Sequence, residues 1–139
     1  MGINTPIKSF RDLDVYQLSY ESAIIVASSL LSKLPNSEKY DLRDQLSRST
    51  KAVPRLIAEG YAKRHQKSGF QKYLDDAMAE SNETIVGIDM CRDIYKIDKI
   101  FCDKMVDCYD KIGRQLYNLR KAWSNFKTNT ENPITKRVS

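Results

Sequence analysis

The sequence predicts an all-α protein, an antiparallel up-down-up-down four-helix bundle with left-handed packing. Two observations predict this fold class. In four segments, apolar residues recur at alternating steps of three and four, which keeps one side of a helix facing a partner helix. The connections between these segments are short, and short connections make consecutive helices run antiparallel. No segment favours a strand.

The first helix is predicted to open at Ser9 with Asp12. Leu18 and Ile25 widen its apolar stripe toward what a bundle core needs. The stripe itself consists of Leu13, Gln17, Tyr20, Ile24, Ala27, Leu31 and Leu34.

The second helix follows the break at residues 35–37, and Glu38 and Asp41 place negative charge in its first turn. Pro54 lies inside this helix, where proline removes a hydrogen bond and costs roughly 3 kcal/mol. The stripe keeps its phase across Pro54, so we predict one continuous, kinked helix. Its stripe consists of Leu42, Leu46, Ser49, Val53, Leu56 and Gly60.

The third helix is predicted to begin with a capping box of Ser68 and Gln71, and the fourth with Asp98 as its cap. The stripe of the third helix is Phe70, Leu74, Ala77, Ser81, Thr84, Ile88, Cys91 and Tyr95. The stripe of the fourth is Phe101, Met105, Cys108, Ile112, Leu116, Leu119, Trp123 and Phe126.

Length and composition indicate one soluble domain, since the chain has 139 residues, 41% of them hydrophobic and 29% charged. We expect a mobile segment over residues 1–9, the bundle over 10–126 and a mobile polar tail over 127–139. No apolar run reaches membrane-spanning length and no signal peptide is evident, so we expect a cytoplasmic protein that avoids membranes. Cys91, Cys102 and Cys108 lack paired metal-type spacing and are interpreted as reduced core residues.

Charge is distributed unevenly along the chain. Residues 35–67 hold eight positive and four negative side chains, residues 68–98 three and seven, and residues 99–139 nine and four. The second and fourth helices are therefore basic and the third is acidic. A basic stripe can follow a phosphate backbone, where each neutralised phosphate releases counterions and adds salt-sensitive affinity.

The candidate phosphate contacts form three groups: cations three and four residues apart on the second helix, a cluster with His65 after it, and one face of the fourth helix. Direct base readout is not predicted, because no sequence-reading motif is present. The candidates are Arg48, Lys51, Arg55, Lys63, Arg64, Lys67, Lys104, Lys111, Arg114 and Lys121.

Two other interpretations of the charges stay open. The cations can keep long helices solvated and pair with the acidic third helix of the same monomer. The acidic side of one subunit can also dock on the basic side of the next, a head-to-tail contact that can close into a ring. Six tyrosines off the main stripes fit subunit interfaces, stacking under bases or a wider core: Tyr16, Tyr40, Tyr61, Tyr73, Tyr109 and Tyr117.

One run of residues resembles a known family: Leu34, Pro35, Glu38, Tyr40, Leu42, Gln45, Arg48, Ala52, Val53, Pro54, and above all Ile57, Ala58, Glu59, Gly60 and Tyr61. It is similar to the 23S rRNA intervening-sequence proteins, over roughly residues 10–125. The resemblance implies a bacterial four-helix bundle that assembles into a homo-oligomeric ring, a pentamer, with a basic surface suited to nucleic acid. It also implies partners such as a reverse transcriptase or a ribosome-related particle.

Within the Ile57, Ala58, Glu59 and Gly60 motif, a structural interpretation is favoured over chemistry. Glu59 lies four residues from both Arg55 and Lys63, which predicts an intrahelical ion pair. Gly60 permits close approach of another backbone, or a bend before the basic loop.

Catalysis is not predicted. The sole histidine, His65, cannot supply the two Glu-x-x-His pairs of a di-iron bundle, and no glycine-rich phosphate loop is present. We therefore expect no enzyme activity, no cofactor and no metal. The predicted function is a non-enzymatic oligomer that binds nucleic acid, RNA in the first place, with little sequence specificity. The alternative is a protein-interaction scaffold, for example an accessory partner of a reverse transcriptase or ribonucleoprotein.

Overall fold

The computed structural model describes residues 6–129, with side chains as far as Trp123. Its four α-helices are α1 (Asp14–Ser29), α2 (Leu42–Ala62), α3 (Gly69–Asp93) and α4 (Lys99–Asn129). Short 3₁₀ turns occupy Phe10–Asp12, Leu31–Lys33 and Asn36–Glu38. The described range contains no strand, so the predicted all-α four-helix class is confirmed. The up-down order and the left-handed packing stay predictions.

The two segments predicted to be mobile lie mostly beyond the described range, which leaves out residues 1–5 and 130–139. Ile7, inside the first of these segments, is buried in the core. The α4 helix continues to Asn129, three residues past the predicted end of the bundle at 126.

The arrangement of the helices decides which surfaces can act together. The α2 helix packs along α3, α3 along α4, and α1 touches both α2 and α4. Among the described residues, no Cα of α2 lies within 8 Å of a Cα of α4. The two helices meet through side chains: the hydroxyls of Thr50 and Tyr109 share a hydrogen bond, and the ring of Tyr61 lies 6.2 Å from that of Trp123. The outer faces of α2 and α4 therefore point to opposite sides of the molecule.

The predicted apolar stripes of α2, α3 and α4 form the core. All members are buried except Leu56, Tyr95, Phe101 and Cys108, which are half-buried and pack against the core, and Phe126, which lies beyond the described side chains. At one end of the bundle, the Trp123 ring lies 5.0 Å from that of Phe70 and 6.2 Å from that of Tyr61. This aromatic cluster joins the end of α2, the start of α3 and the end of α4.

The predicted stripe of α1 is wrong within the helix, although Leu13, Leu31 and Leu34 at its two ends are buried. Tyr20 and Ile24 are 51% and 52% exposed, and the buried residues of α1 are Val15, Ser19, Ser22, Ala23 and Val26. Leu13 caps α1 in an extended conformation, with ψ at 126°, so its burial does not set the phase of the helix that follows. Both buried serines have a partner: the Ser19 hydroxyl donates to the carbonyl of Tyr16 at 3.0 Å, and the Ser22 hydroxyl lies 3.1 Å from the Cys108 sulfur on α4.

Of the three predicted helix caps, one is confirmed, one lies on a different element and one is wrong. Asp98 is confirmed, because its Oδ1 accepts the backbone N–H of Phe101 at 3.1 Å. Ser9 and Asp12 form a capping box, but on the 3₁₀ turn rather than on α1. Ser68 is wrong as a cap: its φ of 57° is left-handed and its side chain makes no capping hydrogen bond, because the chain turns tightly there before entering α3.

The start of α2 differs in detail from its prediction. Glu38 lies in the preceding 3₁₀ turn and accepts the backbone N–H of Leu42 at 3.1 Å. The Tyr95 hydroxyl also donates to Glu38, and these bonds hold the pKa of its carboxyl below the usual value. The acidic residue in the first turn is Asp44, since Asp41 precedes the helix and makes no side-chain cap. The helix runs unbroken through the buried Pro54, as predicted.

Candidate nucleic-acid interface

The α4 face carries four of the predicted cations, Lys104, Lys111, Arg114 and Lys121, and all four are exposed. Within the described residues, none of them forms an ion pair within 4.0 Å. Two exposed carboxylates, Asp107 and Asp110, lie among them, and the sequence prediction did not weigh these acids. The face therefore presents cations to solvent with a minority of acids between them.

A basic end cluster surrounds the turn from α2 to α3 and consists of Lys63, Arg64, His65 and Lys67. The Arg64 guanidinium lies 4.0 Å from the Tyr61 ring centroid and donates to the Tyr61 carbonyl at 2.8 Å. The Lys63 ammonium donates to the Tyr73 hydroxyl at 3.0 Å, and this bond raises the pKa of Lys63.

The end cluster lies at the same end of the bundle as the end of α4. Tyr61, on which Arg64 stacks, contacts the ring of Trp123, two residues beyond Lys121. The end cluster and Lys121 therefore lie at the same end of the bundle, although Lys121 is exposed and points away from the buried Trp123.

The α2 face, formed by Arg48, Lys51 and Arg55, is exposed as predicted but lies apart from the α4 face. It points away from α4, because α2 and α4 are separated by α1 and α3. Arg48 pairs with Asp44 at 3.3 Å, an exposed contact that contributes little to stability. The ten predicted residues therefore fall into three groups: the α2 face and the α4 face on opposite sides of the bundle, and the end cluster where α2 turns into α3.

Two ion pairs join α3 to α4 inside the monomer: one between an acid of α3 and an arginine of α4, and one between an arginine of α3 and an acid of α4. Arg120 contacts Asp75 at 2.6 Å and Arg92 contacts Asp103 at 2.9 Å. Lys99 and Arg92 hold the pKa of the Asp103 carboxyl below its usual value. None of the ten predicted residues takes part in these two interhelical pairs, so their charges stay available to a ligand.

An apolar groove between α1 and α2, here called the α1–α2 groove, was not predicted. It encloses about 350 Å³ and is lined by Tyr16, Tyr20, Ile24, Ala27, Pro54 and Ala58 among others, with Lys51 and Arg55 at its edge. Tyr20 and Ile24, which line it, were predicted to lie in the core, so the sequence indicated no groove here. The small buried residues Ser19, Ser22 and Ala23 were the available signal for the correct phase.

The Ile57, Ala58, Glu59 and Gly60 motif acts mainly in packing. Ile57 is fully buried, and a Cβ on Gly60 would lie 2.5 Å from the Cβ of Tyr73 on α3, so the predicted close approach is present. The predicted ion pair of Glu59 is wrong: Glu59 is exposed, and neither Arg55 nor Lys63 lies within 4.0 Å of it among the described ion pairs. Lys63 ends the helix and turns to the Tyr73 hydroxyl instead.

The cysteines are free thiols, as predicted, with Cys91 and Cys102 fully buried. Burial raises the pKa of the Cys91 thiol to about 12, which keeps it protonated and unreactive at neutral pH. The described residues hold no group of three or more His, Cys, Asp or Glu side chains placed to bind a metal. No helix in this part of the chain combines the length and apolar character needed to cross a membrane.

These features define an all-α four-helix protein whose outer faces carry unpaired cations. The chain belongs to the 23S rRNA-intervening sequence protein family, whose model matches residues 11–118. The resemblance found in the sequence is thereby confirmed.

A solved structure supports the fold. It is a crystal structure of a protein of unknown function from the S23 ribosomal protein family of Bacteroides thetaiotaomicron. The two chains are 22% identical, the match covers 77% of this chain and 98% of the other, and the TM-score is 0.64. No curated protein matches this chain.

Proposed function

We propose that this protein is a non-enzymatic bacterial cytoplasmic protein that binds nucleic acid, RNA in the first place, through the phosphate backbone. The binding surface is the α4 face together with the end cluster. The observation that carries the proposal is the set of exposed cations on α4 without ion pairs: Lys104, Lys111, Arg114 and Lys121. Lysine and arginine side chains of this kind neutralise phosphates without reading sequence.

The length of this surface suits a polynucleotide. Lys104 and Lys121 are 17 positions apart on one helix, which corresponds to roughly 26 Å at 1.5 Å per residue. A nucleic-acid strand places a phosphate about every 3.4 Å along a duplex axis, so several successive phosphates fall within reach. The end cluster extends the surface beyond the end of α4.

Salt dependence tests the proposal. Binding of a fluorescein-labelled 20-nucleotide RNA, followed by anisotropy, is expected to weaken steeply as salt rises. If the seven cations of the surface each neutralise one phosphate, log Kobs falls against log salt with a slope of about −5 for a single strand. No binding at low salt, or a slope near zero, would overturn the proposal.

A second candidate function, self-association, is favoured by the α1–α2 groove. We propose that the groove receives α3 of a second copy. Val86, Met90 and Ile94 follow one another at four-residue steps on α3 and are 50%, 42% and 60% exposed, so they form an apolar ridge. The ridge lies on the acidic helix α3, whereas the cations Lys51 and Arg55 lie at the edge of the groove, so the two surfaces carry opposite charges.

In this arrangement the groove of each copy receives the ridge of one neighbour while its own ridge enters the groove of another, which makes the contact heterologous. A heterologous contact forms a closed ring when its rotation allows. The proposed ring is the homopentamer that the family resemblance implies. The alternative function, a scaffold for a protein partner such as a reverse transcriptase or ribonucleoprotein, would use the same groove for another protein.

A pair of neighbouring substitutions tests self-association. Ile24→Glu places a carboxylate in the α1–α2 groove and is expected to reduce the wild-type oligomer to monomers in multi-angle light scattering. Ile25→Glu is the matched control, since Ile25 is 40% exposed on the same helix but does not line the groove. A monomeric wild-type protein, or an Ile24→Glu variant of wild-type mass, would contradict the contact.

A further inference from the structure

A second groove lies between α3 and α4, beside the α4 face, and is here called the Gly113 groove. It has a volume of about 560 Å³, within the range of roughly 300–1,000 Å³ that small-molecule sites occupy. Along the helices it lies between two ion pairs that join α3 to α4, Asp75 with Arg120 and Arg92 with Asp103. These pairs hold the two helices together on both sides of the opening.

Gly113 leaves the groove open. A Cβ built on Gly113 would meet no atom within 4 Å, whereas a Cβ on Gly60 or Gly87 would strike a residue of the neighbouring helix. Glycine in a helix interior is less stable than alanine by about 1 kcal/mol. Packing within the monomer therefore does not account for glycine at this position, and its effect is to deepen the groove.

Tyr117 supplies an aromatic surface to this groove. Its side chain is 57% exposed, and its ring joins no aromatic pair among the described residues. An exposed aromatic ring beside a cationic surface is the arrangement on which bases of single-stranded nucleic acids stack. Arg114 and Lys121 lie three residues before and four residues after Tyr117, close enough to hold the phosphates on either side of a stacked base.

The polar groups of the groove fit a base better than a phosphate. Asn82 and Asn118 carry amides that can donate and accept hydrogen bonds, and the Asp110 carboxylate can accept one from an exocyclic amino group. The same carboxylate repels a phosphate. The groove therefore favours the base, and the neighbouring cations favour the backbone.

We propose that the Gly113 groove holds an unpaired base of single-stranded nucleic acid, stacked on Tyr117, and that the protein consequently prefers single strands to duplexes. This inference rests on the proposed function and adds the class of substrate. In a duplex each base is stacked and paired inside the helix, so only the phosphate contacts remain. The preference comes from stacking and not from sequence.

The test compares a 20-nucleotide RNA with the blunt duplex of the same sequence, by anisotropy at one low salt concentration. Wild-type protein is expected to bind the single strand about 10-fold more tightly, since stacking of one base contributes about 1–3 kcal/mol. Tyr117→Leu is expected to remove this preference and leave duplex binding unchanged. Tyr117→Trp is expected to retain the preference.

Two further variants distinguish a loss of binding at the groove from a loss caused by unfolding of the protein. Gly113→Ala partly fills the groove and is expected to weaken single-strand binding about 3-fold or more without loss of thermal stability. Tyr40→Leu is the control, because Tyr40 is 86% exposed and lies before α2, away from the groove. It is expected to change neither affinity.

The outcomes separate this inference from the proposed function. If Tyr117→Leu and Gly113→Ala bind the single strand as wild type does, while binding still weakens steeply with salt, the inference is wrong and the proposed function stands. Equal wild-type affinity for single strand and duplex overturns the inference in the same way. If wild-type protein binds neither, both proposals fail.

Discussion

Reversal of two charges on the α4 face, Lys111→Glu with Arg114→Glu, is expected to weaken RNA binding at least 100-fold at low salt. Both side chains are exposed and form no ion pair within the described residues. A hydrogen bond to a charged group contributes about 1.5–3 kcal/mol, so two lost phosphate contacts correspond to roughly 100-fold or more. Repulsion between the new carboxylates and phosphates adds to the loss. Anisotropy with the labelled 20-nucleotide RNA measures it.

The control for this variant is Lys8→Glu with Lys39→Glu. Both pairs of substitutions lower the formal net charge of +5 by four, but Lys8 and Lys39 lie outside the α4 face and the end cluster. The control is expected to lose less than about 5-fold. Equal losses in the two variants would mean that total charge, and not this surface, governs binding.

The largest expected effect on stability is that of Gly60→Ala. The added Cβ would lie 2.5 Å from the Cβ of Tyr73 and 3.0 Å from the ring of Phe70, so α2 and α3 must move apart. Overpacking of a tight core costs typically about 1–3 kcal/mol. Because the first neighbour is the Cβ of another helix and cannot swing away, we expect a loss of about 3 kcal/mol in the free energy of unfolding, measured by urea denaturation with circular dichroism.

Gly113→Ala is the matched comparison for Gly60→Ala. The same substitution on α4 meets no neighbour within 4 Å and is expected to raise the free energy of unfolding by about 1 kcal/mol. A lower free energy of unfolding for Gly60→Ala together with a higher one for Gly113→Ala would support the close contact of α2 with α3. A Gly60→Ala protein as stable as wild type would show that the helices are not packed this closely.

The stripes of α2, α3 and α4 could be predicted because their apolar residues follow helical periodicity over many turns. The α1 helix shows the limit of this signal. Its buried side contains Ser19, Ser22 and Ala23, whereas its exposed side carries Tyr20 and Ile24, so hydrophobicity alone selects the wrong side. Contact with neighbouring helices decides the outcome, and its signal in the sequence is the small size of Ser19, Ser22 and Ala23, which hydrophobic periodicity does not weigh.

The residues of the candidate site could be predicted from the sequence, but their positions relative to one another could not. Charge and spacing identified the exposed cations of α2 and the end cluster, and those of α4 apart from Lys99, which pairs with Asp103. They could not show that α2 and α4 lie across the bundle, which separates Arg48, Lys51 and Arg55 from the cations of α4. The Gly113 groove could not be predicted either, because it forms only when Asn82 of α3 lies near Tyr117 of α4.

The central claim is that the α4 face binds phosphates directly, and the change in salt slope tests it most directly. Each phosphate contact to a single strand contributes about 0.7 to the slope of log Kobs against log salt. The account predicts that Lys111→Glu with Arg114→Glu makes the slope shallower by about 1.4 or more, while the Lys8→Glu and Lys39→Glu control keeps the wild-type slope. A wild-type slope in the Lys111 and Arg114 variant would contradict the claim.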